Sequence, residues 1–251
     1  MEKELAHVIW NAQNKANIEP IKNFAAQLSS NDTIITFNYD TLVEHALSEE
    51  DKVWNHGLND LDNGGITVLK MHGSIDWILL ERRKEKELEK FIKLFSKKDV
   101  NVKEHNSKPL QEEEYTWELW RAKDTTICNA VLEMDQGGLS TFKYRLGLAG
   151  LGQYKPLHRL PGSAETWFSA FKALKNADEI IVIGFSMSPY DTMTRFHFAS
   201  VVRGCEKPPS RIIIIDPNAI SLANAFSSVF GIIITLIASK AEQVDYSKLL
   251  V

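Results

Sequence analysis

Five stretches of this chain are almost wholly apolar and only five to seven residues long: TIITF at 33–37, ITVLKM at 66–71, EIIVIGF at 179–185, RIIIID at 211–216 and IIITLI at 232–237. Runs this short suit buried β-strands, since a bilayer-spanning helix takes about 20 apolar residues. A strand apolar at every position must be covered on both faces, which is the condition of a parallel sheet between helix layers. The segments between the runs return to helical spacing. The fold expected is therefore α/β, a Rossmann-like parallel sheet with helices on both faces.

Residues 1–30 read as two helices. The first has Leu5, Val8 and Ile9 on one face; the second starts at Pro20 and carries Ile21, Phe24, Ala25 and Leu28. Ser-Ser-Asn-Asp at 29–32 is a turn signal, and TLVEHAL at 41–47 is helical again. Further on, Trp167, Phe168, Phe171 and Leu174 make a helical face, and Asp191 is placed to cap the next helix. Ser221–Phe226 reads as a helix after the turn at Pro217.

Residues 81–160 interrupt this alternation. A Lys/Glu-rich region from about 79 to 108 carries Leu88, Phe91, Ile92, Leu94 and Phe95 at helical intervals, and 110–160 shows no clear period. The segment is expected to be an insertion or small helical subdomain, with 1–80 and 161–251 forming the main domain. Its lysines are balanced by glutamates, which describes a solvated helix face better than a nucleic-acid patch. Gly147, Gly150 and Gly152 in GLAGLG follow no predicted strand and read as a flexible turn.

Charge narrows the partners. The formal net charge is -4, so there is no broad basic field and nucleic acid is not the default ligand. The sequence holds two cysteines, Cys128 and Cys205, so a four-thiolate zinc site within one chain is impossible and no metal is expected. The first fifteen residues are acidic and polar where a secretory signal needs a basic start and an apolar run. With no membrane span either, a cytoplasmic location is expected.

Chemistry-bearing residues cluster where strands end, the edge at which open α/β sheets bind ligands. Asn38 and Asp40 follow TIITF, and His72-Gly73 follows ITVLKM. Gly184 and Ser186 follow IIVI, where a glycine admits a ligand close to the backbone and a hydroxyl can bond phosphate or ribose. Asp216 ends RIIIID, a place for a carboxylate on ribose hydroxyls. All of these are equally ordinary turn and cap residues, and Asp216-Pro217-Asn218 is itself a turn sequence. His56-Gly57 repeats the His-Gly pair but follows a polar stretch, which gives it the weaker claim.

The joint pattern resembles the sirtuin-like family, in particular its prokaryotic branch without a zinc module. TFNYD at 36–40 resembles the family's Thr-x-Asn-x-Asp segment, and KMHGSIDW at 70–77 its catalytic-histidine segment. IGFSMSPYD at 183–191 resembles its adenosine-binding strand and loop, and IIDPN at 214–218 the strand end that meets the adenine ribose. The resemblance implies an NAD site. Asn38 would hold the nicotinamide ribose and a water, Asp40 the nicotinamide amide, and His72 would be the general base. Gly184, Ser186 and Asp216 would hold the adenosine half, with Thr36, Phe37, Gly73, Asp191 and Asn218 in the flanking binding segments.

The implied activity is hydrolysis of NAD to nicotinamide and ADP-ribose in an antiviral-defence type of role. Breaking that glycosidic bond passes through an oxocarbenium-like state, for which a base and an oriented water are suitable. NAD-dependent protein deacylation is a second enzymatic reading. A non-catalytic nucleotide-binding or interaction module is a third, using 81–160 as a contact surface for a partner or a second copy. The family's first strand ends in a Gly-Ala-Gly segment that cradles the pyrophosphate, and residues 1–30 contain no glycine at all.

Overall fold

A computed structural model describes residues 2–57, 64–81, 103–105, 117–121, 144–148, 163–188, 191–204, 206–230 and 234–249. The expected strands form. β1 (Thr33–Thr36), β2 (Trp54–Asn55) and β3 (Ile66–Lys70) make a parallel sheet in the order β1-β3-β2. β8 (Glu179–Ile183), β9 (Arg211–Ile215) and β10 (Ile234–Ile237) make a second parallel sheet in the order β10-β9-β8. The middle strands are the driest: Val68 and Leu69 of β3 and Ile212–Ile215 of β9 are at most 1% exposed, as aliphatic strands under two helix layers must be.

The helices are α1 (Glu2–Gln13), α2 (Glu19–Ala26), α3 (Leu42–Glu49), α4 (Ser163–Asn176), α5 (Thr192–Arg203) and α6 (Ala219–Phe230). Pro20 sits at the start of α2, where its missing N–H costs nothing. Asp32 closes the preceding turn to β1, accepting bonds from the Ser29 amide and hydroxyl. Two predicted helix faces are shifted. Leu5 and Val8 are exposed, and α1 instead buries Ala6, Trp10 and Gln13, a stripe at the i, i+4, i+7 spacing. Phe168 is also exposed, while Trp167, Ala170 and Leu174 carry the packing of α4.

The two parallel sheets share their covering layers. On one face α2 and α3 pack on Ile34, Ile66 and Val68, and Phe24 of α2 reaches on to Ile213, Ile215 and Tyr246. On the other face Trp167 and Ala170 of α4 pack with Leu69 and Met71, and Leu174 of the same helix packs with Ile180 and Ile212. Ile35 and Phe37 of the first sheet join the cluster of Phe198, Ile214 and Phe226 around the second. The sheets therefore lie side by side in a single layer, with β1 and β8 as their facing edges.

The described residues of 81–160 are strands, and the segment in which helical spacing was read lies outside the described residues. β4 (Gly73–Glu81), β5 (Lys103–His105), β6 (Trp117–Arg121) and β7 (Tyr144–Leu148) form an antiparallel sheet in the order β5-β6-β4-β7. The antiparallel unit starts at Gly73, ahead of the expected boundary at 81. The alternation Ser74-Ile75-Asp76-Trp77 is the period-two signal for it, and short strands among Lys and Glu are hard to see by periodicity. Gly147 belongs to β7 rather than to a flexible turn; Gly73 pairs with the adjacent Leu148. Leu88 to Phe95, Gly150 and Gly152 lie outside the described residues. Among the described residues no helix is long and apolar enough to cross a membrane, and no cluster of three His, Cys, Asp or Glu could hold a metal ion.

Candidate functional site

The carboxyl ends of β1, β3 and β8 meet around one side chain, Phe37. Its ring lies edge-on to His72 at 5.1 Å and stacks on Phe185 at 4.7 Å, with planes 6° apart. Tyr39 lies on the other side of His72, with ring centroids 6.0 Å apart. Three chain segments, 36–40, 72–74 and 184–187, are thereby brought together. His72 is 7% exposed, so its imidazole sits in an apolar, aromatic setting at the sheet edge. Burial pushes the Tyr39 phenol above its ordinary range, favouring the neutral hydroxyl.

The loop after β1 is fixed by the chain beyond it. The Tyr39 carbonyl accepts from the Ile75 amide at 2.9 Å and from the Ser74 hydroxyl at 3.4 Å. The Asn38 amide donates to the Thr36 hydroxyl at 3.1 Å, and the Asn38 side chain is exposed. Asp40 Oδ1 accepts from the Leu42 amide at 3.1 Å, an Asx turn that starts α3. Beneath, Lys70 Nζ donates to the Asp40 carbonyl and pairs with Glu44 Oε1 at 3.2 Å. Lys70 and Glu44 are 2% and 3% exposed, so this is a charge pair wholly withdrawn from water. Sequence reasoning missed it: Lys70 stands in an apolar strand and Glu44 on the buried face of α3, and only the fold reveals that they meet. Gln13 adds a further brace, bonding the Thr41 amide and hydroxyl at 3.1 Å each.

His56 is buried between Trp54 and Trp77, with Nδ1 3.0 Å from the Val68 carbonyl. Gly73 is required by packing: its φ is +82°, and a Cβ there would lie 1.7 Å from the Gly147 carbonyl oxygen.

Gly184 differs from Gly73. Its φ of +61° needs glycine for conformation, but a Cβ would meet nothing within 4 Å, so its backbone faces open space. Its amide donates to the Ile215 carbonyl at 2.9 Å, which sets Gly184 beside the end of β9 and Asp216. Ser186 is exposed, and Met187, with φ +50°, is buried and anchors the loop. Asp191 caps α5 as predicted, Oδ1 accepting from the Thr194 amide at 3.2 Å. Asp216 Oδ1 accepts from the Asn218 amide at 2.7 Å, so one carboxylate oxygen serves the turn. Asn218 is exposed at the start of α6.

The polar groups at this edge fit a ribose-bearing ligand in two respects: open backbone at Gly184, and exposed Asn38 and Ser186 flanking a buried imidazole. Residues 2–27 are occupied by α1, α2 and their turns. No curated protein and no solved structure matches the chain. The family model of the SIR2-like domain matches residues 32–116, from the turn before β1 through Asn38, Asp40, His72 and Gly73 into the antiparallel sheet. Over that stretch the chain is similar to the SIR2-like domain.

Proposed function

We propose that the chain binds NAD at the carboxyl ends of β1, β3 and β8 and hydrolyses it to nicotinamide and ADP-ribose. The observation that carries this reading is the assembly of Asn38, His72 and the open Gly184 loop around Phe37. In this reading His72 accepts a proton from a ribose hydroxyl or water, and its burial among Phe37 and Tyr39 excludes competing solvent. The exposed Asn38 amide orients the water and offers its carbonyl dipole to the developing cation. Asp40 orients the nicotinamide amide, while Ser186 and the free edge of Asp216 hold the adenosine half. The sequence holds two cysteines, which supports reading the chain with the zinc-less type of sirtuin-like protein, and a cytoplasmic, defence-type role is part of the proposal.

Nicotinamide release from NAD by the purified protein tests the proposal. His72→Ala is expected to lower the rate by about 10²–10⁴-fold, and Asn38→Ala by about 10²–10³-fold. Equal background rates in all three proteins would refute hydrolysis. Release that requires an acyl-lysine peptide would assign deacylation instead. A third reading is a nucleotide-binding module without turnover, for which the lack of any glycine in residues 1–30 is the supporting observation. Calorimetric binding of NAD with no nicotinamide released would establish it.

A further inference from the structure

The segment after β1 carries Asn38 and Asp40, and its geometry is set from outside. The Tyr39 carbonyl is held by the Ser74 hydroxyl and the Ile75 amide, and the Thr41 amide by Gln13. Between these ties the Asp40 carbonyl accepts from Lys70 Nζ. Lys70 is the charged member of this set, and it stands on the same stretch of chain as the candidate base, His72.

Strand alternation explains how the ammonium arrives there. Ile66 and Val68 of β3 pack with α2 and α3, while Leu69 and Met71 pack with α4. Lys70 continues the first row, so its stem lies on the α3 side of the sheet and its Nζ reaches Glu44 Oε1 at 3.2 Å. Glu44 is in the first turn of α3, just past the Asx turn that Asp40 makes to Leu42. One ammonium thus links β3, the loop at Asp40 and the start of α3. An apolar pair could fill the same space at similar or lower cost, because desolvating two charges offsets most of their attraction. What the ammonium adds is direction. Held by Glu44, it aims a charge-assisted N–H at the Asp40 carbonyl, a bond that an apolar side chain cannot make.

We propose that Lys70, oriented by Glu44, is a positioning residue of the candidate site. It fixes the Asp40 carbonyl, and through it the placement of Asn38 and the Asp40 carboxylate against His72. Its effect on turnover rests on the reading of this edge as an NAD site, whereas its hold on the loop is independent of that reading. Displacing a group that orients the reacting water by about 1 Å costs about 10²-fold in rate. The adenosine half is assigned to Ser186 and Asp216, beyond the ends of β8 and β9, and keeps its contacts when Lys70 is lost. The loss is therefore expected in kcat and not in affinity for NAD.

The double variant Lys70→Met with Glu44→Leu, which removes both charges and keeps the space filled, tests this. Ile212→Val, a small truncation in the core of β9, is the control for lost stability. Amide exchange read by NMR should be about tenfold or more faster in the double variant at Leu42 and Ile75, whose amides bond Asp40 and Tyr39. Val68 and Ile213 should keep the parent's protection. The kcat for nicotinamide release should fall about 10²-fold, with the calorimetric Kd for NAD within about threefold of the parent's. Unchanged exchange at Leu42 and Ile75 would overturn the proposal. So would acceleration shared equally by Val68 and Ile213, which is what a purely structural role gives, or a fall in kcat no larger than that of Ile212→Val. A parent that releases no nicotinamide would refute the hydrolytic reading, and exchange at Leu42 and Ile75 would then decide whether Lys70 fixes the loop. One measurement needs no variant. NMR of the parent's lysine ammonium groups should show a scalar coupling across the hydrogen bond from Lys70 Nζ to the Asp40 carbonyl carbon, and its absence would sink the proposal whether or not the double variant folds.

Discussion

Replacing Lys70 with methionine removes one member of a charge pair that has lost its water. Lys70 and Glu44 are 2% and 3% exposed with 3.2 Å between Nζ and Oε1, so Lys70→Met takes the Lys70 charge away from a buried Glu44 carboxylate. Breaking such a pair from one side costs about 3–5 kcal/mol, a large share of the roughly 5–15 kcal/mol that holds a domain folded. With a urea m-value of about 1–3 kcal/mol per molar, the midpoint should fall by more than about 1 M. The double variant Lys70→Met with Glu44→Leu restores an uncharged, filled interior. It should retain only the loss of the Lys70 bond to the Asp40 carbonyl, about 1 kcal/mol. The assay is equilibrium urea unfolding by tryptophan fluorescence in a double-mutant cycle. A Lys70→Met cost below about 1 kcal/mol, or single effects that simply add in the double variant, would refute the reasoning.

Three further outcomes follow from the geometry. Gly184→Ala should cost about 1–2 kcal/mol, the penalty of a left-handed backbone alone. Gly73→Ala should cost clearly more, because its Cβ also collides with the Gly147 carbonyl oxygen; thermal unfolding of the two variants compares them directly. Tyr39→Phe bears on alkaline stability. Burial holds the Tyr39 proton more tightly in the folded than in the unfolded state, so its contribution is present below the unfolded tyrosine pKa of about 10 and is lost as pH rises through the higher folded value. The variant should therefore lose less stability than the parent above about pH 10, measured by urea unfolding across alkaline pH. Gln13→Ala removes the bonds that tie α1 to Thr41; it should lower stability by about 1–3 kcal/mol and accelerate amide exchange at Thr41.

The strands of the parallel sheets were legible because a short all-aliphatic run such as Ile212–Ile215 suits a strand buried on both sides. Asp191 was legible as a cap because its short carboxylate precedes a helix and has one use there. The antiparallel strands were not, because Trp117–Arg121 and Tyr144–Leu148 are brief and pair with residues dozens of positions away. Helix faces misled where a large apolar residue stayed exposed, as with Val8 and Phe168, since packing is decided by the partner surface and not by size. At the site, His72 and Asn38 were reachable from their position after strands. The Lys70–Glu44 pair was not, because a lysine in an apolar strand shows its partner only once α3 is docked.

The stacking of Phe37 on Phe185 joins positions 148 residues apart in sequence. Each half-sheet can close over shorter loops, such as Ile34 to Val68 or Ile180 to Ile212. Among the described residues, closing the long loop brings aromatic contact and the shared cover of α2 and α4 but no ladder, so it has less to offset its entropy until both halves exist. The corner that holds His72 is then the last part of the molecule to assemble. Pulse-labelled exchange during refolding should protect Leu69 and Ile213 before Met187; simultaneous protection would mean that the halves fold as one unit.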